Sequence, residues 1–252
     1  MRPLPQIMVA PNGARLQKPD HPAIPLSEGE LIDCAKACFA AGAGAIHAHL
    51  RTEDGQHLLD AARYRQLVIA LRKAVPDMAI QITTEAAGRY DPDIQMRVAL
   101  EAGADMVSVS IRELCRAETL AVAAFLQNCA NQQITLQFIL YDREDCDLLA
   151  RTLDKSALTD PGLQLLFVLG RYSQEPARPQ DLDPFLDWLT HHNLTPDWAV
   201  CAFGPSELDC LKHAAAMGGK CRTGFENSMY LSNGKRAPDN AAKVADLKSL
   251  LD

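Results

Sequence analysis

Two histidines, separated by a single residue, stand in the segment Ala45–Leu50, whose sequence AIHAHL has the composition of a buried strand. Residues two apart in a strand point to the same side, so His47 and His49 are expected to present both imidazoles together. Each buried imidazole nitrogen needs a partner, and one metal ion satisfies both rings. The pair therefore predicts a divalent metal site, whereas one inward histidine would more often be an ordinary core residue.

A third ligand is needed, and the segment RTGFE offers one in Glu226, near the end of the last predicted strand. Two histidines and a glutamate leave one coordination position open, as catalytic metal sites do. Taken alone, Glu226 would be interpreted as an exposed loop carboxylate. Arg222 lies four residues earlier, inside the strand, where a charge is costly unless it is paired. We therefore expect Arg222 to have a carboxylate partner or an anionic ligand.

Further polar residues stand at the predicted strand ends, where the active site of a parallel barrel lies. They are Thr83, Thr84 and Glu85 after the third strand, Ser108 and Ser110 on the fourth, and Tyr141 and Asp142 after the fifth. For each single hydroxyl, ordinary strand polarity is the better explanation. The other histidines, which are His21, His57, His191, His192 and His213, are predicted to lie in loops, at a helix end or inside a helix. We do not expect them to extend the metal cluster.

The positions of these candidate residues depend on a regular alternation of predicted strands and helices along all 252 residues. The predicted strands are Gln6–Pro11, Ala45–Leu50, Ala79–Thr84, Met106–Ile111, Thr135–Tyr141, Gln164–Leu169, Trp198–Phe203 and Gly219–Gly224. The predicted helices are Ser27–Ala41, Asp60–Ala74, Pro92–Ala102, Ala117–Asn128, Glu144–Lys155, Asp181–His191, Ser206–Met217 and Asn240–Leu251. Eight such units predict one α/β domain over residues 1–252, a (β/α)8 TIM barrel. An open doubly wound sheet is the alternative, but no Gly-x-Gly-x-x-Gly motif follows the first strand.

Composition narrows the classes of partner. The net charge is -7 and no basic stripe is present, which argues against a nucleic-acid partner. No apolar run approaches the ~18 residues of a membrane span, and the N-terminus shows no apolar signal-peptide core. The eight cysteines form no C-x-x-C pair. We therefore expect reduced core thiols in a cytoplasmic protein without a membrane partner.

At these residues the sequence resembles the β-keto acid cleavage enzymes, typified by the 3-keto-5-aminohexanoate cleavage enzyme. The matching pieces are PNGA at Pro11–Ala14, HPAIPLS at His21–Ser27, AGAGAIHAHLRTEDGQ at Ala41–Gln56, QITTEAAG at Gln81–Gly88 and GGKCRTGFENSMYL at Gly218–Leu231. The likeness runs over nearly the whole chain. Its H-x-H strand and its R-x-G-F-E ending are specific when taken together and only moderately specific apart.

The resemblance implies a zinc-dependent TIM barrel that is a homo-oligomer, with a tetramer as the expected form. Such enzymes convert a β-keto acid and acetyl-CoA into acetoacetate and a new acyl-CoA. One Zn²⁺ per chain would be held by His47, His49 and Glu226, and it would acidify the protons between two carbonyls. Thr83 and Ser108 match substrate-binding hydroxyl positions, and Asp142 matches a substrate-facing acidic position. The implied catalytic positions are Arg222, Asn227 and Thr83.

The chain departs from the family pattern in three places. Asn227 stands where the family often has an aspartate that removes a proton together with the arginine matched by Arg222, and an amide cannot act as a carboxylate base. Arg15 stands where the aminohexanoate enzyme has a glutamate, which predicts a preference for β-keto acids with anionic or uncharged tails. The segment Ile111–Ala117 is short and the C-terminus ends early, so we expect changes in the acyl-CoA site or the subunit contacts.

Two other functions remain open from the sequence. A metal-dependent hydrolase of the amidohydrolase type also uses an H-x-H pair in a barrel. It would place that pair on the first strand and add a lysine on the fourth strand and further histidine ligands, which this chain lacks. A barrel that binds an anionic metabolite without turnover is the non-enzymatic alternative, and Asn227 is compatible with it.

Overall fold

The computed structural model describes residues 3–170 and 176–252. Its strands are β1 (Ile7–Val9), β2 (Ala45–Ala48), β3 (Leu50–Arg51), β4 (His57–Leu58), β5 (Ala79–Thr83), β6 (Met106–Ser110), β7 (Thr135–Leu140), β8 (Gln164–Leu169), β9 (Asp197–Ala202) and β10 (Lys220–Thr223). Eight of them form a closed parallel barrel in the order β1-β10-β9-β8-β7-β6-β5-β2. The architecture is the predicted (β/α)8 barrel.

Helices separate the barrel strands along the chain. They are α1 (Glu28–Ala41), α2 (Ala61–Ala74), α3 (Pro92–Glu101), α4 (Ile111–Leu114), α5 (Thr119–Asn131), α6 (Arg143–Thr152), α7 (Lys155–Leu158), α8 (Asp183–His192), α9 (Glu207–Ala216) and α10 (Asn240–Leu251), with a 3₁₀ turn at Pro179–Leu182. Among the described residues, no helix is both long and apolar enough to cross a membrane.

The local sequence determines where helix α1 begins and ends. The Ser27 side chain accepts from the backbone of Glu30, and the Glu30 carboxylate accepts from the Ser27 backbone, as in a capping box. The helix ends at Gly42, which has a φ of 114° and whose N–H satisfies a carbonyl of the last turn. These interactions fix both ends of α1 directly before β2, the strand that carries the first histidine.

The barrel strands divide the core into two layers. Met8, Ala45, Met106 and Leu166 belong to the inner cluster. The alternate residues, such as Ile46, pack outward against the helices. Because residues alternate between the two faces of each strand, the same inward face carries the polar side chains farther along β2, β5 and β6.

The structure corrects two of the predicted boundaries. The second strand was expected to continue to Leu50, but β2 ends at Ala48, and Leu50–Arg51 turns away to pair with His57–Leu58 in an antiparallel ribbon. His49 therefore lies just beyond the barrel strand. The segment after β6, expected to be a loop, begins with the short helix α4.

Candidate metal centre and active-site pocket

The three predicted metal ligands lie together at the carboxyl end of the barrel. The Nε2 atoms of His47 and His49 are 3.0 Å apart, and Glu226 Oε2 lies 3.8 Å from the first and 3.7 Å from the second. Ligands of a tetrahedral ion with bonds of about 2.1 Å stand roughly 3.4 Å apart, so these separations fit one small cation. Within the described residues, these three side chains form a group whose ligand atoms all lie within 4.8 Å of one another.

The chemical state of the three side chains also suits a cation. Burial lowers the pKa of both His47 and His49 well below 6.5, and the charge of Arg222 lowers the pKa of His47 further, so both rings are neutral and can donate a lone pair. Glu226 Oε2 is buried and accepts no hydrogen bond from any described residue. A buried carboxylate oxygen in that state is costly, and a metal ion would satisfy it. The residues therefore fit the metal that the sequence predicts.

Glu226 is the carboxylate partner that the strand position of Arg222 predicted. Arg222 Nη2 donates to Glu226 Oε1 at 2.9 Å, and both side chains are almost completely buried. Burial alone raises the pKa of Glu226, while the positive charge of Arg222 opposes that rise. The pair holds one carboxylate oxygen and directs the other, Oε2, toward the histidines.

Two glycines create the space for the Glu226 side chain and its turn. A Cβ on Gly13 would lie 2.7 Å from Glu226 Cγ, so a larger residue there would displace the ligand. Gly224 has a φ of 144° and lies against the Ala10 carbonyl, which leaves no room for a side chain. The Glu226 N–H donates to that same carbonyl at 3.1 Å, which ties the turn to the end of β1.

Helices α9 and α10 hold the same turn from outside the barrel. Asn240 accepts from the Phe225 N–H at 2.8 Å and donates to the Pro11 carbonyl at 3.1 Å. Glu207 accepts from the Thr223 hydroxyl at 2.9 Å and forms a fully buried ion pair with Lys243. The position of the Glu226 turn therefore depends on side chains from both helices.

A pocket of roughly 470 Å³, including its open mouth, lies over the three ligands. This size is typical of small-molecule sites. Its polar lining beyond the ligands and Arg222 consists of Thr83, Glu85, Ser110, Glu113 and Tyr141. Apolar walls are provided by Ile139, Val168, Cys201 and Phe203. The pocket thus combines the cation site with several convergent polar groups and an apolar wall.

Three of the four predicted substrate-binding residues, Arg15, Ser108 and Asp142, lie outside this lining. Ser108 is buried two residues before Ser110 on β6, level with Thr83 in the strand register, and Ser110 is the serine that lines the pocket. Asp142 caps α6 and forms a 2.7 Å ion pair with Arg112. Substrate binding by Ser108 and Asp142 therefore stays a prediction that the pocket lining does not support directly.

Arg15 lies beside Glu85, a residue of the pocket lining. Its side chain is 58% exposed, and Nη2 is 3.8 Å from Glu85 Oε1. Burial and the nearby charge of Glu226 raise the pKa of Glu85, and the charge of Arg15 opposes this rise, so that the pKa is about 7. Arg15 and Glu85 therefore form a weakly coupled pair of opposite charges.

The family model for beta-keto acid cleavage enzymes matches residues 6–252. The chain belongs to this family. Membership confirms the resemblance drawn from the H-x-H strand and the R-x-G-F-E ending.

Two relatives match almost the full length of this β-keto acid cleavage enzyme family member. The 3-oxoadipate:acetyl-CoA acetyltransferase of Cupriavidus necator is 26% identical over 98% of this chain and 88% of its own. The 3-keto-5-aminohexanoate cleavage enzyme of Acetoanaerobium sticklandii is 26% identical over 92% of this chain and 86% of its own.

A solved structure of ObcA, in a ternary complex with a C4-CoA adduct and oxalate, shares the fold. It superposes with a TM-score of 0.69 at 13% identity, over 91% of this chain and 64% of the ObcA chain. The present chain therefore spans somewhat less than two thirds of ObcA. At this identity the likeness supports the barrel architecture alone.

Asn227 remains the main departure of this family member. It is buried, its backbone N–H donates to Gly224 and its carbonyl accepts from Gly204. Its side-chain amide has no hydrogen bond to any described residue, while Arg222 is bonded to Glu226. The arginine is therefore engaged with the predicted metal ligand in this structure.

Sequence reasoning missed the residues that surround the histidines. Gln81 Oε1 lies 2.7 Å from His47 Nδ1 on the neighbouring strand β5. His57, expected in a loop, is buried in β4, with its ring 5.3 Å from that of His49 and its Nε2 2.8 Å from the Glu85 carbonyl. Gln81 could have been found, because it lies two residues before Thr83 and so shares its inward face. His57 could not, because its position depends on the β3–β4 ribbon.

Proposed function

We propose that this protein is a zinc-dependent acyltransferase that condenses a β-keto acid with acetyl-CoA to give acetoacetate and a new acyl-CoA. The observation that carries the proposal is the convergence of His47, His49 and Glu226 beneath an open pocket in a chain of this family. Relatives named for transfer between a keto acid and acetyl-CoA support the choice of co-substrate.

The atoms of this reaction balance without a redox partner. A new bond joins the acetyl carbonyl carbon to the α-carbon of the keto acid, and the bond between that α-carbon and the keto carbon breaks. The keto carbon leaves as a thioester of CoA, and acetoacetate keeps the carboxylate of the keto acid. A divalent cation bound by the three ligands would supply Lewis acidity toward the two carbonyls of the substrate.

The residues around the ligands are suited to binding an oxyanion. Arg222 supplies a buried positive charge beside Glu226, which stabilises negative charge that develops nearby. The Thr83 hydroxyl accepts from the Glu85 N–H at 2.9 Å, so its own hydrogen is available to a substrate oxygen. The Ser110 hydroxyl is buried without a hydrogen bond to any described residue, which suits a second contact to substrate.

Covalent catalysis by the cysteine of this pocket is disfavoured. Cys201 is completely buried, and burial raises the pKa of its thiol to about 12. A neutral thiol is a poor nucleophile at neutral pH. The hydrolase alternative is also disfavoured, because the histidine pair lies at the end of the second barrel strand in the chain and no further histidine joins the cluster among the described residues.

A screen of β-keto acids with acetyl-CoA, monitored for acetoacetate, tests the proposal. Zinc-loaded wild-type protein should form acetoacetate and acyl-CoA in equal amounts. The His47→Ala/His49→Ala variant is the matched control and should form neither. If no β-keto acid gives acetoacetate from protein that contains zinc, the proposed reaction is wrong.

Substitution of Asn227 in the same screen tests which group removes the substrate proton. An amide cannot take the substrate proton, so we expect Asn227→Asp to raise kcat by about 10²-fold or more, as a positioned base does. Asn227→Ala serves as the control and should not raise it. Equal kcat values for wild type and Asn227→Asp would mean that another group accepts the proton.

We propose that the substrate tail is anionic or uncharged, because Arg15 lies beside Glu85 of the pocket lining. The 3.8 Å approach of Glu85 partly neutralises Arg15, so the expected preference is modest, about 10-fold in kcat/KM. Comparing cationic, neutral and anionic β-keto acids on wild type and Arg15→Glu measures it. A wild-type preference for the amino-bearing substrate that survives Arg15→Glu would contradict the assignment.

We also propose a cytoplasmic location and a homo-oligomeric state. Six of the eight cysteines are buried as free thiols, which supports a reducing, cytoplasmic environment. A homo-oligomer, with a tetramer as its expected form, is tested by light scattering of the purified protein. Small-molecule substrates remain the proposed partners, with neither nucleic acid nor membrane.

A further inference from the structure

The interior of the barrel beneath the pocket contains two completely buried glutamines. Gln81 on β5 and Gln137 on β7 each have 0% exposure. Barrel interiors are usually filled by branched apolar residues, and a buried amide is costly unless its hydrogen bonds are made. Two such amides directly under a metal site therefore call for an explanation.

The two amides form a chain of hydrogen bonds that ends on His47. Gln137 Nε2 donates to the Leu165 carbonyl at 3.3 Å, and Gln81 Nε2 donates to Gln137 Oε1 at 2.9 Å. Gln81 Oε1 then lies 2.7 Å from His47 Nδ1. Every link is between buried groups, so no link competes with solvent.

The backbone carbonyl at the far end fixes the direction of every link. The Leu165 carbonyl can only accept, so Gln137 must turn its NH₂ group toward it and its oxygen toward Gln81. Gln81 must in turn donate to Gln137, which leaves only its oxygen for His47. A flipped amide would place two acceptors against each other at one of the links. His47 Nδ1 therefore carries the hydrogen, and the lone pair on its Nε2 faces His49 Nε2 and Glu226 Oε2.

The second histidine lacks an equivalent partner. His49 Nδ1 is buried and makes no hydrogen bond to any described residue, and Glu85 Oε2 is 4.0 Å from it. Its backbone N–H lies 3.4 Å from Asn12 Oδ1, a contact that positions the main chain and not the ring. The tautomer and the ring orientation are thus built into the protein for His47 only.

We propose that Gln81 is a positioning residue that fixes His47 in the Nδ1–H tautomer and aims its Nε2 at the cation, with Gln137 locking the orientation of Gln81. This inference rests on the proposed metal site but concerns a property of the metal-free protein as well. Outer partners of metal-bound histidines typically change metal affinity by 10- to 100-fold when they are removed. Gln81 and Gln137 would then account for the polar interior as part of the site.

Two measurements on the same samples test the inference. Chelator competition gives the zinc Kd, and ¹⁵N NMR of histidine-labelled protein gives the tautomer of His47 before zinc is added. Gln81→Leu should weaken zinc binding 10- to 100-fold and release His47 into a mixture of tautomers. Gln137→Leu should give the same changes at smaller size. Gln81→Glu keeps an acceptor at His47 but loses the donor to Gln137, so it should recover only part of the affinity.

Gln95→Leu is the matched control. Gln95 is also a buried glutamine, but it lies on α3, and its amide donates to the Thr84 carbonyl and to Glu113 rather than to the chain that ends on His47. Its substitution should leave the zinc Kd and the His47 tautomer unchanged, with thermal unfolding confirming that each variant is folded.

The outcomes separate the inference from the proposed function. A wild-type protein that takes up no zinc contradicts the metal-dependent function, while the His47 tautomer in that sample still decides the inference. Nε2–H as the wild-type tautomer overturns it. A zinc Kd for Gln81→Leu equal to that of Gln95→Leu also overturns it.

Discussion

The histidine half and the glutamate half of the metal site are held in different ways. His47 lies in β2, where hydrogen bonds to β1 and β5 fix its backbone, and His49 follows directly after that strand. Glu226 lies in a turn beyond β10, and its position depends on side chains of α9 and α10. One half is part of the sheet, and the other half is assembled from several elements.

This difference has consequences for how the site can fail. A parallel ladder distributes its constraint over many backbone bonds, so single side-chain changes outside the pocket move the main chain of His47 little. The Glu226 turn is held by a few buried polar contacts, and each unsatisfied partner costs roughly 1–3 kcal/mol. We therefore expect substitutions remote from the pocket to displace the main chain of the glutamate half more readily than that of the histidine half.

The largest expected effect comes from removing the histidine half itself. The His47→Ala/His49→Ala variant should lose its metal completely, because one carboxylate cannot hold a cation against solvent. Glu226→Gln should retain weak binding, since two imidazoles remain. Elemental analysis after dialysis should find about one ion per chain in wild type. Equal metal content in all three proteins would show that the cation, if present, binds elsewhere.

The next largest expected effect comes from removing Arg222, whose buried charge lies beside Glu226. Arg222→Ala should lower kcat by about 10²- to 10³-fold, because a buried charge beside the developing oxyanion is lost. Metal content should persist, since all three ligands remain. Arg222→Lys is the matched control and should recover part of the activity by keeping the charge. Near-normal kcat in a folded Arg222→Ala protein would remove this residue from the mechanism.

The buried ion pair behind the glutamate half predicts the largest effect on stability. Lys243→Met leaves the Glu207 carboxylate buried without its cation, which should destabilise the fold by about 3–5 kcal/mol in chemical unfolding. Adding Glu207→Gln to this variant should recover much of the loss, because no buried charge then remains. If the double variant is no more stable than Lys243→Met, the pair does not carry the stability assigned to it.

Substitution of Asn240 has a smaller expected effect, but it tests most directly whether the Glu226 turn depends on α10. Asn240→Ala leaves the Phe225 N–H and the Pro11 carbonyl unsatisfied and should cost about 1–3 kcal/mol. It should also weaken zinc binding about 10-fold, although the residue does not line the pocket. Asn131→Ala, at the exposed end of α5, is the control. A zinc Kd unchanged by Asn240→Ala would mean that the Glu226 turn holds its place without α10.

Much of this site could be predicted from local pattern. The alternation of eight strands with helices gave the barrel, and the spacing of His47 and His49 placed both rings on one side. Arg222 was correctly expected to need a partner, because a charge within a strand cannot remain buried alone. Each of these predictions depends on the fixed geometry of a strand or on the cost of desolvation, which act within a few residues.

Only the tertiary structure decided which rim residues meet. Ser108 and Ser110 share a face of β6, yet the barrel places Ser110 at the pocket and Ser108 beneath it. Asp142 follows a strand end as expected, but α4 brings Arg112 against it. Gln81 reaches His47 because β5 lies beside β2, and Asn240 reaches the Glu226 turn because α10 returns to β1. The register of neighbouring strands and the path of long connections set these contacts, and both arise from barrel closure, not from the local sequence.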